Sequence, residues 1–157
     1  MSVRNIEGKF DARNSKFAIV AGRFNSFIVE PLVQGAVQAI EKSGGNGKDT
    51  DVYWAPGAFE IPQLLKQVLK MGKVDGVICL GAVIRGATPH FDFVAQAANR
   101  GIEQLALESG LPIGNGVLTC DSIDQAIERS GTKAGNKGFE AAMAVIEMAD
   151  LFKSLKA

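Results

Sequence analysis

Residues 81–90 hold the groups of this chain that are best suited to chemistry. The run Gly-Ala-Val-Ile-Arg-Gly-Ala-Thr-Pro-His leads from an apolar segment through a turn of small residues to a predicted helix. Small residues at Gly86 and Ala87 let backbone N–H groups approach a ligand, and a helix beginning near Thr88 directs its positive end to the same point. His90, the only histidine, follows. The pattern predicts a site for an anion such as phosphate, beside a side chain that moves protons near neutral pH.

Residues 22–25 and 55–60 follow two other apolar runs and are expected to join this turn in one site. Ligands of doubly wound sheets bind outside the carboxyl ends of the strands. Together with residues 84–90, the two segments offer an aromatic face, polar side chains and backbone amides, from Phe24, Asn25, Glu60, Ala58 and Phe59. A flat polar heterocycle stacked beside a phosphate fits these groups.

Each of these features also has a purely structural explanation. The turn could be an empty helix start, Phe24 could fill the core, and Glu60 could be an acidic residue favoured by a helix dipole. Residues 127–138 include three glycines and three cations within ten residues. That composition makes a poor helix and a good phosphate clamp, and a solvated loop between two helices is its alternative.

Length and charge limit the classes of protein. A chain of 157 residues fits one domain, over residues 1–157, and a domain of that size buries roughly 68 to 70 per cent of its unfolded surface. The 17 basic and 17 acidic side chains cancel, so no broad basic surface for nucleic acid is expected. Any anion site must therefore be local. Residues 1–13 form an N-terminal extension that carries no motif.

The cysteines and the N-terminal segment indicate a soluble, cytoplasmic protein. Cys79 and Cys120 lie in or beside apolar runs, so we expect buried thiols in a reducing compartment. With one histidine and two isolated cysteines, no metal site is expected. Residues 1–10 carry charges and no apolar core, and they resemble neither a signal peptide nor a membrane span.

Four short apolar runs, each followed by turn residues and then by helical spacing, predict a parallel sheet with helices on both faces. The expected strands are residues 16–21, 51–54, 76–83 and 113–119. The expected helices are a first one that ends at residues 44–45, then residues 59–70, 89–109, 122–129 and 139–155. Pro31 predicts a late start near Glu30 or an irregularity in the first helix, and residues 131–138 a flexible break. The last helix has an apolar set broad enough to cover both its own domain and a partner: Ala142, Val145, Ile146, Met148 and Leu151.

Several long motifs, in unbroken order from about Asn14 to the C-terminus, closely resemble the 6,7-dimethyl-8-ribityllumazine synthase family. They are residues 22–25, 56–62, 81–90, 116–119, 125–129 and 131–138. The resemblance implies a flavodoxin-like, three-layer α/β/α sandwich. It also implies the penultimate step of riboflavin synthesis, a transferase reaction without a cofactor. In that step 5-amino-6-(D-ribitylamino)uracil condenses with 3,4-dihydroxy-2-butanone 4-phosphate, with release of phosphate and water.

The resemblance assigns a role to each predicted site residue. Phe24 would stack on the pyrimidine, with Asn25 beside it, and Val83 and Ile84 would contact the same ring. The ribityl chain would be held by Ala58, Phe59 and Glu60. The phosphate would be bound by Gly86, Ala87, Thr88 and Arg129. His90 would shuttle protons, and Lys137 would lie near the site of a neighbouring chain.

In this family the site lies between adjacent subunits of a homo-pentamer. One chain would supply the strand end that contains Ile113, with Arg129 and Lys137, and the next chain Phe24 and His90. An uninterrupted segment such as residues 131–138 accompanies closed sixty-subunit shells, and riboflavin synthase is a further expected partner. Asn115 departs from relatives that place a phenylalanine against the substrate ring, which leaves open whether it hydrogen-bonds the pyrimidine instead.

Two other classes of protein share parts of this pattern. A flavodoxin-like binding or signalling module has the same layout of strands and phosphate sites, but a phosphoacceptor would need an aspartate where this chain has Ala82, Val83 and Ile84. A catalytically silent shell protein would keep the assembly and lose the chemistry. The complete set of Phe24, His90, Arg129 and Lys137 argues against it.

Overall fold

The structure, a computed structural model, describes residues 2–156 and contains a four-stranded parallel sheet. Its strands are β1 (Phe17–Gly22), β2 (Asp51–Ala55), β3 (Gly76–Ile84) and β4 (Ile113–Cys120), in the order β2-β1-β3-β4. Each predicted strand is correct to within one residue at either end. The ends of the predicted domain, Met1 and Ala157, lie outside the described residues.

The helices cover both faces of the sheet, which confirms the three-layer α/β/α class. Within the described range they are α1 (Ser26–Lys42), α2 (Ile61–Met71), α3 (His90–Ser109), α4 (Ile123–Arg129) and α5 (Lys137–Lys156). Alternate residues of β1 face opposite cores: Ile19 packs on the side of α1 and α5, whereas Val20 packs on the side of α2 and α3. A strand buried on both faces must be apolar throughout, and for this reason the apolar runs predicted the strands well.

Pro31 does not delay the first helix. The expected start near Glu30 is wrong, because α1 begins at Ser26 and continues through Pro31. The proline removes one backbone donor, but its own carbonyl accepts a hydrogen bond from Asn136 Nδ2 at 3.0 Å. A contact between residues far apart in sequence therefore supports this part of α1.

Residues 131–138 are ordered rather than a flexible break. Ser130–Thr132 (β5) and Gly135–Asn136 (β6) form a two-stranded antiparallel hairpin, folded against the end of α4 by the Thr132 hydroxyl, which donates to the Ile127 carbonyl at 2.8 Å. Asn136 Oδ1 then accepts from the Phe139 N–H at 3.0 Å and caps the first turn of α5. As a result α5 begins two residues earlier than predicted.

Both cysteines are buried and free, as expected. Burial raises the pKa of the Cys79 thiol to about 12, so this side chain behaves as a small apolar group. In the part of the chain that the structure describes, none of the helices combines the length and the apolar character needed to cross a lipid bilayer.

Gly138 is the closest contact between α5 and α1, and its replacement should destabilise the fold. A Cβ at this position would overlap the Leu32 carbonyl. Gly138→Ala gains up to about 1 kcal/mol in helix propensity. We expect overpacking to outweigh that gain and to lower the free energy of unfolding by about 1 to 3 kcal/mol. Gly86→Ala is the control, because a Cβ there meets nothing within 4 Å. Urea unfolding measures both, and equal stabilities would contradict the prediction.

Candidate active site

A cleft of about 490 Å³ opens at the carboxyl ends of β1, β2 and β3. It lies where the chain turns from building the sheet on one side of β1 to building it on the other, which is where doubly wound sheets bind ligands. The cleft brings together most of the predicted site residues: Phe24, Asn25, Ala58, Phe59, Glu60, Val83, Ile84, Gly86, Thr88 and His90. Ala87 lies in the same turn but does not line the cleft.

Three hydrogen bonds draw the loops after β1, β2 and β3 together. The Arg23 N–H donates to the Ala55 carbonyl at 2.8 Å, and the Phe24 N–H donates to the Pro56 carbonyl at 2.9 Å. Asn25 has a left-handed backbone (φ 64°), and its Nδ2 donates to the Ala82 carbonyl at 3.0 Å. These bonds leave the Phe24 side chain 73% exposed along the cleft. Phe24 therefore does not fill the core.

Residues 58–60 form a short 3₁₀ turn that leads into α2 and supplies the opposite wall. Ala58 is buried, whereas Phe59 is 53% exposed. The backbone of Glu60 precedes the first residue of α2, and its side chain makes no capping hydrogen bond there. Its carboxylate lines the cleft instead, so a position at a helix N-terminus and a place in the site are both present.

The turn of residues 86–89 leads directly into α3, whose first residue is His90. The Thr88 hydroxyl accepts from the His90 N–H at 3.4 Å, and the Pro89 carbonyl accepts from the Asp92 N–H at 3.1 Å. The space in front of Gly86 is open, because no atom lies within 4 Å of a Cβ built there. Exposed backbone at a helix N-terminus, with free space before it, is suited to an anion.

Three predicted site residues, Asn115, Arg129 and Lys137, do not line this cleft. Arg129 is exposed at the end of α4, where its Nη1 donates to the Gln125 carbonyl at 3.2 Å, and Lys137 is exposed at the start of α5. The Ser122 hydroxyl accepts from the Gln125 N–H at 3.2 Å and so fixes the start of α4. The chain by itself therefore presents these cations away from its own cleft.

Asn115 lies in β4, at the edge of the sheet, with its side-chain amide held in one orientation. Oδ1 accepts from the Val117 N–H at 3.0 Å, and Nδ2 donates to Asn99 Oδ1 at 2.6 Å. One amide hydrogen and one lone pair stay free for a ligand. The neighbouring Asn99 was not predicted as a site residue.

Sequence reasoning also missed part of the cleft wall. Five lining residues were not predicted to bind a ligand: Pro56, Gly57, Ala82, Phe91 and Val94. Phe91 and Val94 had been placed on the apolar face of α3, and both do pack against the core beside α2. The signal was available, because an apolar helix face that starts at a ligand site necessarily contributes to the wall of that site.

Comparisons with known proteins agree with this geometry. The model of the 6,7-dimethyl-8-ribityllumazine synthase family matches residues 14–153. Proteins named 6,7-dimethyl-8-ribityllumazine synthase from Nitratidesulfovibrio vulgaris and Prosthecochloris aestuarii are 54% and 52% identical to this chain. A third, from Chlorobium phaeovibrioides, is 51% identical. The alignments cover 99% of this chain and 99 to 100% of each relative. The chain belongs to the 6,7-dimethyl-8-ribityllumazine synthase family.

Proposed function

We propose that this chain makes 6,7-dimethyl-8-ribityllumazine in riboflavin biosynthesis, from 5-amino-6-(D-ribitylamino)uracil and 3,4-dihydroxy-2-butanone 4-phosphate. One observation carries the proposal: an exposed aromatic ring, an open helix N-terminus and the only histidine line the same cleft of a chain that belongs to this family. The ring of Phe24 suits a planar pyrimidine. The turn of residues 86–89, here called the phosphate turn, suits the phosphoester.

Both substrates bind so that the primary amine of the pyrimidine meets the ketone carbon. The amine attacks, water leaves, and an imine forms. Loss of a proton from carbon then expels phosphate, and attack by the ribitylamino nitrogen on the remaining carbonyl closes the second ring with loss of water. Amines and ketones condense in water unaided, so the main contribution is geometric. Holding two reactants in place is worth up to about 7 to 11 kcal/mol in favourable cases.

His90 transfers protons during these steps. It is exposed at the cleft, in the first turn of α3 and directly after the phosphate turn. That position lets an imidazole reach both the leaving phosphate and the carbon that loses a proton. General acid/base assistance contributes typically 10²- to 10⁴-fold, and a reaction with a low intrinsic barrier should use about the lower part of that range.

A neighbouring copy completes the site. Arg129, Lys137 and Asn115 are exposed on the far side of the chain from its cleft wall, and two exposed cations suit a phosphate better than their own surroundings. In a homo-pentamer they reach the cleft of the adjacent chain, where Arg129 closes on the phosphate and the free amide groups of Asn115 bond the pyrimidine. Pentamers then associate into a closed shell, with riboflavin synthase as a partner in the cytoplasm.

The direct test is to mix the purified protein with both substrates and follow the fluorescent lumazine. We expect product from the unmodified chain, and a turnover roughly 10- to 100-fold lower for His90→Ala, with substrate KM largely kept. An inactive unmodified chain would support a silent shell-forming or ligand-binding protein. Unchanged turnover in His90→Ala would remove this residue from the mechanism.

Phe24→Ala should weaken pyrimidine binding without destabilising the fold. The ring is 73% exposed, so we expect its loss to change the free energy of unfolding by less than about 0.5 kcal/mol. Lost stacking should reduce affinity for the pyrimidine substrate by about fivefold. Phe27→Ala is the matched control, since Phe27 is also exposed (66%) on the same helix but does not line the cleft. Equal losses of affinity in a fluorescence titration would contradict stacking by Phe24.

A shared site makes assembly and activity measurable together. Light scattering should find pentamers and larger closed particles, and a monomer at all concentrations would contradict the assembly. When His90→Ala and Arg129→Ala chains are co-refolded in equal amounts, about a quarter of the shared sites regain both residues by symmetry. At low butanone phosphate the mixture should therefore exceed either variant alone. Activity equal to the mean of the two variants would place both residues in one chain's site.

A further inference from the structure

Arg85 joins three segments that border the candidate site. It follows β3 and precedes the phosphate turn, and its backbone N–H donates to the Cys120 carbonyl at 2.9 Å. Its side-chain Nε donates to Asp121 Oδ1 at 2.9 Å, and its Nη1 lies 3.6 Å from Asp92 Oδ1. Its guanidinium carbon lies 4.4 Å from the centre of the Phe91 ring. One side chain thus contacts the first turn of α3 and the turn before α4.

These contacts close a bracket around the phosphate turn. Arg85 lies on one side of residues 86–89, and Phe91 and Asp92 lie on the other. A planar guanidinium that stacks on a ring and pairs with carboxylates has a defined orientation, which a flexible ammonium does not have. The bracket therefore limits how far the backbone of residues 86–89 can move away from the start of α3.

The charges show that Arg85 is not itself the free cation that would bind a phosphate. Two carboxylates, Asp92 and Asp121, face its single positive charge, and the hydrogen bond from Asp121 raises the pKa of Arg85 further. Without the guanidinium, both negative charges would stand uncompensated beside the phosphate turn. Exposed ion pairs add little to stability, so the value of this arrangement lies in position and local charge.

We propose that Arg85 is a positioning residue for the reaction: it braces the phosphate turn against α3 and cancels two carboxylates that would repel a phosphoester bound there. The proposal rests on the proposed function. It predicts that Arg85 acts on the butanone phosphate and not on the pyrimidine, because Phe24 and residues 58–60 lie on the other walls of the cleft.

Steady-state kinetics of Arg85→Gln test this role. We expect the KM for the butanone phosphate to rise roughly tenfold, with the KM for the pyrimidine and kcat changed about twofold or less. Arg85→Lys keeps the charge and loses the planar contacts, so its KM should rise less. The matched control is Arg13→Gln, because Arg13 makes a comparable pair of hydrogen bonds to Asp11 in a segment remote from the cleft. It should leave all three constants unchanged.

Two readouts separate charge balance from a merely structural loss. Raising KCl from about 0.1 M to 1 M shortens the screening length from about 10 Å to 3 Å, so the ratio of mutant to wild-type KM should shrink. Adding Asp92→Asn to Arg85→Gln removes one uncompensated carboxylate and should lower that KM again. A KM for the butanone phosphate that is unchanged in Arg85→Gln overturns the proposal, as does a raised KM that neither salt nor Asp92→Asn reduces.

The same experiment distinguishes the two levels of inference. An unmodified chain that forms no product refutes the proposed function. An active unmodified chain whose kinetics ignore Arg85→Gln refutes only the role of Arg85. If Arg85→Gln unfolds below the assay temperature, Arg85→Lys decides: a KM for the butanone phosphate equal to wild type overturns the bracing role, and a selective rise supports it.

Discussion

The structure depends on one constraint: parallel strands buried on both faces all end at the same edge of the sheet. The turns that follow β1, β2 and β3 are consequently neighbours, whatever their separation in sequence. The backbone groups in these turns lack strand partners, and they satisfy one another through bonds such as Phe24 N–H to the Pro56 carbonyl. The same bonds that complete the fold at this edge also shape the cleft.

Electrostatics explain why such a cleft is incomplete in a single chain. Among the described residues, the cleft wall includes no lysine or arginine, and the nearby Arg85 is already matched by Asp92 and Asp121. Backbone N–H groups at a helix start favour an anion by only about 0.3 to 1 kcal/mol per charge when exposed. A dianionic phosphoester needs more than that. Exposed cations at the ends of α4 and α5, brought by a second copy, supply it in the proposed assembly.

Much of this arrangement could be predicted from the sequence because it is written in local patterns. Apolar runs bounded by turn residues located every strand of the sheet, and small residues before His90 located the phosphate turn. What failed depends on distant contacts. Asn136 bonds the Pro31 carbonyl across 105 positions, and neither residue signals the other locally. Similarly, only the folded chain shows that Phe24 faces solvent along the cleft, since an apolar residue after a strand can turn to either side.

Asn115 shows how a departure from a familiar pattern acquires meaning from its surroundings. On an edge strand the outward Val117 N–H would lack a strand partner, and the Asn115 carbonyl oxygen accepts its hydrogen. Asn99 then takes one amide hydrogen, so the amide cannot rotate without breaking both bonds. A fixed donor and a fixed acceptor are left at its outer side. Phenylalanine at this position could cover a ring, whereas an amide held in this way can distinguish the donor and acceptor edges of a pyrimidine. Asn115 therefore favours recognition by hydrogen bonding over recognition by stacking, which leaves Phe24 of the adjacent chain as the stacking surface.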